Sequence, residues 1–160
     1  MIPKITTLPE KKLIGRRLTM TLLQNKTVEL WQSFMPLRHQ IKNAIGTDKF
    51  SMQVYEKDFD FLQSTPQTVF EKWAAVEVSD FDNIPENMEA YTLKGGLYAI
   101  FNYKGKPENA ANFFNYVFKT WLPTSEYNLD TREHFEILGD KYLRDDDNSE
   151  EEIWVPIKLK

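Results

Sequence analysis

A chain of 160 residues is long enough for one sizeable hydrophobic core and short for two. Its formal charge of −4, without a basic run, disfavours direct nucleic-acid binding, and the absence of cysteine excludes disulfides, thiol chemistry and zinc–thiolate sites. Two histidines, His39 and His134, are too few for a multi-histidine metal centre, so no metal or cofactor is expected; with no signal peptide and no membrane-length apolar run, the chain reads as cytoplasmic and without a membrane partner.

Residues 1–10 read as a lead-in punctuated by Pro3 and Pro9. A strand is expected from Lys12 to Thr21, with Gly15 as a bulge or close-approach point. Leu30, Trp31, Phe34, Leu37 and Ile41 then fall at helical spacing behind Thr27, and Pro36 should kink or split that helix. Short strands follow at Phe50 to Glu56 and Val69 to Val78, joined by a polar connection at Lys57 to Gln67. After a loop, Met88 to Lys104 is extended and broken at Gly95-Gly96. Ala110, Phe113, Phe114, Val117, Phe118 and Trp121 form the cleanest amphipathic helix pattern in the chain, stopped by Pro123. Tyr127 to Leu138 holds a strand carrying Glu136, and Glu151 to Leu159 reads as the strand beside it.

The order strand, helix, strand, strand thus occurs twice. At a lag of 81 residues Gly15 meets Gly96, Glu71 meets Glu152, Trp73 meets Trp154 and Tyr55 falls opposite Glu136. The expected fold is a single α+β domain over residues 1–160, a tandem duplication of a β-α-β-β unit (repeats at about 11–80 and about 88–160). Two antiparallel sheets would be related by a pseudo-twofold axis, with helices outside and a central cleft between them.

The runs G-G-L-Y-A-I-F-N-Y-K-G (95–105), W-L-P-T-S-E-Y-N-L-D (121–130), H-F-E-I-L-G (134–139) and E-E-I-W-V-P-I-K (151–158) resemble the GyrI-like family, also the effector-binding domain of many AraC-type and MerR-type regulators. The resemblance covers roughly the whole chain and is stronger in the second half. It implies a hydrophobic, aromatic-walled cleft for drug-like, often cationic organic molecules, with Glu136 matching the family's central glutamate and Glu152 a second one. Some stand-alone members of the family resemble hydrolases of reactive natural products, and others bind DNA gyrase. Residues 1–11 are too few for a helix-turn-helix, so a stand-alone domain is expected.

Aromatic residues make up 14% of the chain, enough for either an aromatic core or a pocket for a flat or cationic molecule. Strand alternation turns Glu136 away from Phe135 and Ile137, toward solvent or into a cleft, and the resemblance favours the cleft. Ile153, Val155 and Ile157 are expected to pack on a helix, which leaves Glu152 and Trp154 to the other face and Trp154 as a cleft wall or a core lid. Trp73 repeats that logic in the first half. Tyr55 is the expected partner of Glu136; Tyr98 and Trp121 are further wall candidates; Phe113, Phe114, Val117 and Phe118 read as core, and His134 as exposed. The expected function is binding a small hydrophobic or cationic organic molecule, as a sensor or a sequestering protein. One alternative is a hydrolase using Glu136 with Tyr55, and another is a protein-interaction module that inhibits an enzyme.

Overall fold

Segments with a two-residue apolar period dominate the sequence, and in the computed structural model, which describes residues 1–160, they join into one antiparallel sheet. In chain order the elements are β1 (Lys4–Leu8), β2 (Lys11–Met20), helix α1 (Thr27–Phe34), β3 (Lys49–Val54), β4 (Phe70–Val78), β5 (Glu89–Leu93), β6 (Gly96–Lys104), helix α2 (Ala111–Asn115), a short α3 (Leu122–Thr124), β7 (Tyr127–Leu129), β8 (His134–Leu138) and β9 (Glu150–Leu159). The path across the sheet is β1-β6-β9-β8-β3-β4-β2-β5, with β7 added beside β9. Each half has the same order, first-third-second: β2-β4-β3 and β6-β9-β8.

Two sheets were expected and one is found, because the second strands of the two halves pair directly. Lys49 lies opposite Leu138, Ser51 opposite Glu136 and Gln53 opposite His134. Residues 1–10 are also more than a lead-in. β1 extends the sheet beyond β6, with Ile5 opposite Ala99.

Registry fixes which residues share a face. One cross-sheet row runs Ala74, Ser51, Glu136, Ile153, Phe101, and the next runs Trp73, Met52, Phe135, Trp154, Ile100. The first row belongs to the helix-bearing face. There α1 buries Leu30 and Phe34 against Ile14, Ala74 and Val78, while the second helix buries Phe113, Val117 and Leu122 against Phe101, Ile153, Val155 and Ile157. The second row belongs to a helix-free core that also holds Leu13, Tyr98, Leu8 and Leu93. Leu8 and Leu93 come from the two strands at opposite ends of the sheet, so the sheet curls until its edges close over this cluster. Each large side chain fully buried here contributes about 1.5–3 kcal/mol.

Local sequence explains the irregularities. α1 stops at Phe34 and continues as a 3₁₀ turn, Met35–Gln40, because Pro36 has no amide hydrogen to donate. The aromatic helix is not uniform: between α2 and α3 the residues Tyr116–Trp121 wind as π-helix. Gly15 sits where β2 runs against β4, and a Cβ there would lie 2.0 Å from the Ala74 carbonyl oxygen. Gly96, with φ +129°, leaves room for the Arg132 guanidinium, which donates to the carbonyls of Gly95, Leu97 and Ile157 and lies 4.6 Å over the Tyr98 ring.

Candidate functional site: a cleft between the two helices

The two helices stand over opposite halves of the sheet and leave a trough above its middle strands. The trough is a cleft of about 1270 Å³. Its floor is the helix-side row of the central strands: Ser51 and Gln53 of β3, His134 and Glu136 of β8, Lys72 of β4 and Glu151 of β9. Trp31 and Met35 reach it from the first helix, and Phe114 and Phe118 from the second.

One wall is aromatic. The segment after β3 carries Tyr55, Phe59 and a 3₁₀ turn, Phe61–Gln63, which Asp60 caps by accepting from the Leu62 amide. The Phe61 ring lies 4.3 Å from the His134 ring and 5.0 Å from Phe118, and Tyr55 lies 5.5 Å from Phe61 and 5.9 Å from His134. These spacings are those of interacting rings. They place four π-faces around one end of the cleft.

The floor is charged. Glu136 and Glu151 contribute carboxylates, and Lys72, a buried residue, contributes an ammonium. Burial, and then the Glu136 charge, lift the Glu151 carboxyl to about 7, while Lys72 pulls it the other way. Burial, with the Arg132 charge behind it, holds the His134 imidazole down at about 3, so His134 is neutral at pH 7 and behaves as an aromatic wall. Burial, and then the Glu136 charge, raise the Tyr55 phenol above its ordinary value, so Tyr55 is a neutral donor. The Gln53 amide is assigned with its nitrogen donating to the His134 carbonyl at 2.9 Å and its oxygen accepting from Lys72, since the opposite orientation sets donor against donor. In that orientation the Gln53 oxygen that accepts from Lys72 also lies 3.3 Å from the Glu136 carboxylate, so the Lys72 ammonium stands near Glu136 as well as Glu151.

The structure thus brings Tyr55 and Glu136 together, as read from the sequence. Trp154 borders the cleft, but its ring stacks 5.1 Å from Phe135 in the helix-free core. Trp73 and Tyr98 are buried in that same core and do not line the cleft. Glu152 faces the wrong side and accepts from the Trp154 indole at 3.2 Å; the cleft carboxylate of β9 is its neighbour Glu151. Trp121 packs 5.2 Å from Phe101 and 6.4 Å from Tyr127, under the helix. Conversely Phe114 and Phe118, read as core, line the cleft, and His134, read as exposed, is buried. One assumption accounts for the first four misplacements: the helices were put on the face away from the cleft, whereas both share a face. Ile153, Val155 and Ile157 do pack on a helix, and the same alternation extended to Glu151 would have found the second acid.

Comparison with known proteins identifies this architecture. The sequence profile of the GyrI-like small molecule binding domain matches residues 1–158. The chain belongs to the GyrI-like family. Transcriptional regulator BrlR of Pseudomonas aeruginosa is 23% identical over 130 residues, which are 81% of this chain and 45% of BrlR, so this GyrI-like domain spans less than half the length of that regulator. The structure of SAV2435 bound to tetraphenylphosphonium superposes with a TM-score of 0.76 at 17% identity, covering 99% of this chain and 94% of that one. The EcmrR C-terminal domain gives a TM-score of 0.68 at 16% identity, with complete coverage of both chains. These folds share with this chain an α+β architecture with a large antiparallel sheet and two helices, and the matched family is a small molecule binding domain. No helix is long and apolar enough to cross a membrane.

Proposed function

We propose that this GyrI-like domain binds a bulky aromatic organic cation in the cleft between its helices. The observation that carries this reading is the Glu136 carboxylate: it stands on the cleft floor beside a wall of Tyr55, Phe61, Phe118 and His134. A carboxylate partly removed from water gains most from a counter-charge, and π-faces add their own attraction for a cation. A volume of about 1270 Å³ admits a multi-ring molecule. The tetraphenylphosphonium bound by SAV2435 is a molecule of this class. Sensing or sequestering a xenobiotic are both uses of such a domain.

The test is calorimetric titration of tetraphenylphosphonium into wild type and Glu136→Gln. Binding that weakens about tenfold or more in the variant supports the reading; wild type that binds no cation of this class sinks it. A second reading, hydrolysis of a strained electrophile, rests on the neutral Tyr55 phenol held within range of the Glu136 charge, a donor and a base facing one space. It requires turnover in wild type that Glu136→Gln lacks.

A further inference from the structure

A fixed positive charge on the floor works against a ligand that is itself a cation, yet Lys72 stands there. It lies on β4 opposite Gln53 of β3, which lies opposite His134 of β8, and it is buried. The contact ion pairs of the chain join Lys11 to Glu77, Arg17 to Glu71 and Glu89, Arg132 to Asp130 and Arg144 to Asp145; Lys72 forms none. Its ammonium donates to the Gln53 side-chain oxygen, and that same oxygen lies 3.3 Å from the Glu136 carboxylate. Lys72 also draws the Glu151 carboxyl down, against burial and the Glu136 charge. One ammonium is thus shared between two carboxylates, in direct contact with neither.

That arrangement acts twice. In the empty cleft the lysine offsets part of the acidic charge, so two carboxyl groups can stand on a partly dry floor at a smaller cost. When a cation arrives at Glu136, the same ammonium repels it, in a site where water screens little. The attraction left for the ligand is the carboxylate charge less the share that Lys72 already cancels. Resting on the binding reading above, we propose that Lys72 is a resident counter-ion that sets the affinity threshold of the cleft: an incoming cation must take its place at the carboxylates, and only a cation that also stacks on the aromatic wall of Tyr55, Phe61 and Phe118 gains enough to do so. Small hydrated cations bring no rings to that wall and stay below the threshold. A lysine suits the role, because its flexible four-carbon stem lets the ammonium swing aside while the strand stays in place.

The experiment titrates methyltriphenylphosphonium, and triphenylphosphine as its neutral three-ring counterpart, into wild type, Lys72→Met and Lys72→Arg. Lys72→Met should bind the phosphonium about tenfold or more tightly than wild type does, and the phosphine within about threefold of wild type. Lys72→Arg keeps the charge and should bind both much as wild type does. A gain confined to the cation is electrostatic, since a change in pocket shape alone would move both ligands. Phosphonium binding that is equal or weaker in Lys72→Met, or an equal gain for both ligands, overturns the counter-ion role and leaves cation binding standing. If Lys72→Met does not fold, Lys72→Gln makes the same comparison. Wild type also bears on the threshold without any variant: tetramethylammonium should bind at least about a hundredfold more weakly than the phosphonium, and comparable binding overturns the proposal. A phosphonium that binds neither wild type nor the variants sinks the cation reading itself.

Discussion

Glu151 on β9 feels the charge of Glu136 on the neighbouring strand β8, and together with burial this lifts its carboxyl to about 7. The pair therefore shares less than two full negative charges at neutral pH. A cation entering the cleft favours the ionised form of Glu151, so binding should expel a proton. The sign follows: affinity for tetraphenylphosphonium rises with pH, by about tenfold between about pH 6 and pH 8, and the dependence disappears in Glu151→Gln. Titration in two buffers of different ionisation enthalpy measures the released proton directly. A flat profile in wild type would show that the cation does not sit beside Glu151.

The same group makes the free protein pH-sensitive. The folded carboxyl titrates near 7 and the unfolded one near 4.5, so the native state binds more protons in that window and stability falls as pH rises through it. After allowing for its partial hydration, the loss should be about 1–2 kcal/mol. Denaturant melts of wild type and Glu151→Gln at about pH 5 and pH 8 should differ in slope, with the variant the more stable of the two at the higher pH.

Phe61 tests the aromatic wall. It lies in a short 3₁₀ turn and is only half-buried, yet its ring contacts His134, Phe118 and Tyr55. Phe61→Ala should weaken cation binding by about 1–2 kcal/mol, roughly tenfold, and shift the melting temperature little. Equal affinity in the two proteins would remove Phe61 from the site.

Trp154 gives the opposite pattern. Its ring stacks on Phe135 and meets Tyr98 edge to face in the helix-free core, so Trp154→Ala should cost about 3–5 kcal/mol of stability. If enough folded protein remains at low temperature, its dissociation constant should stay within about threefold of wild type. A normal melt with lost binding would make Trp154 a wall after all.

Gly15→Ala is the sharpest test of the sheet. Its new Cβ meets backbone atoms, the Ala74 oxygen at 2.0 Å and the Ala75 Cα at 2.6 Å, which cannot rotate away. The strand pair must separate, and a loss of about 3 kcal/mol or more is expected in equilibrium unfolding. Gly46→Ala, at a position with nothing within 4 Å of the added carbon, is the control for space alone, though its φ of +68° adds strain of its own.

Most of the strands and the split of α1 at Pro36 were legible because each follows from local period or local chemistry, whereas β1 lay in a stretch read as a lead-in. The rest was set by pairing that a single strand does not announce. Whether β3 joins β8, and so whether there is one sheet or two, depends on partners far apart in the chain, such as Ser51 and Glu136. The π-helical stretch at Tyr116–Trp121 changes the winding beneath a pattern read at 3.6 residues per turn, and Phe114 and Phe118, at the edge of the apolar stripe, pack on the core and line the cleft at once. Phe59 and Phe61 were hidden in a stretch that looked polar, although two rings within three residues of each other in a connection were a signal worth following.

The direct pairing of β3 with β8 puts the cleft floor astride a joint. Tyr55, Gln53 and Lys72 belong to the first half of the chain, while His134, Glu136 and Glu151 belong to the second. Any molecule that spans the floor therefore acts as mortar: it adds its own adhesion to the five residue pairs of the β3–β8 joint. Amide exchange along that joint should slow when the cleft is filled, more than at the outer strands β1 and β5, so occupancy would be felt as a stiffening of the whole domain about its midline.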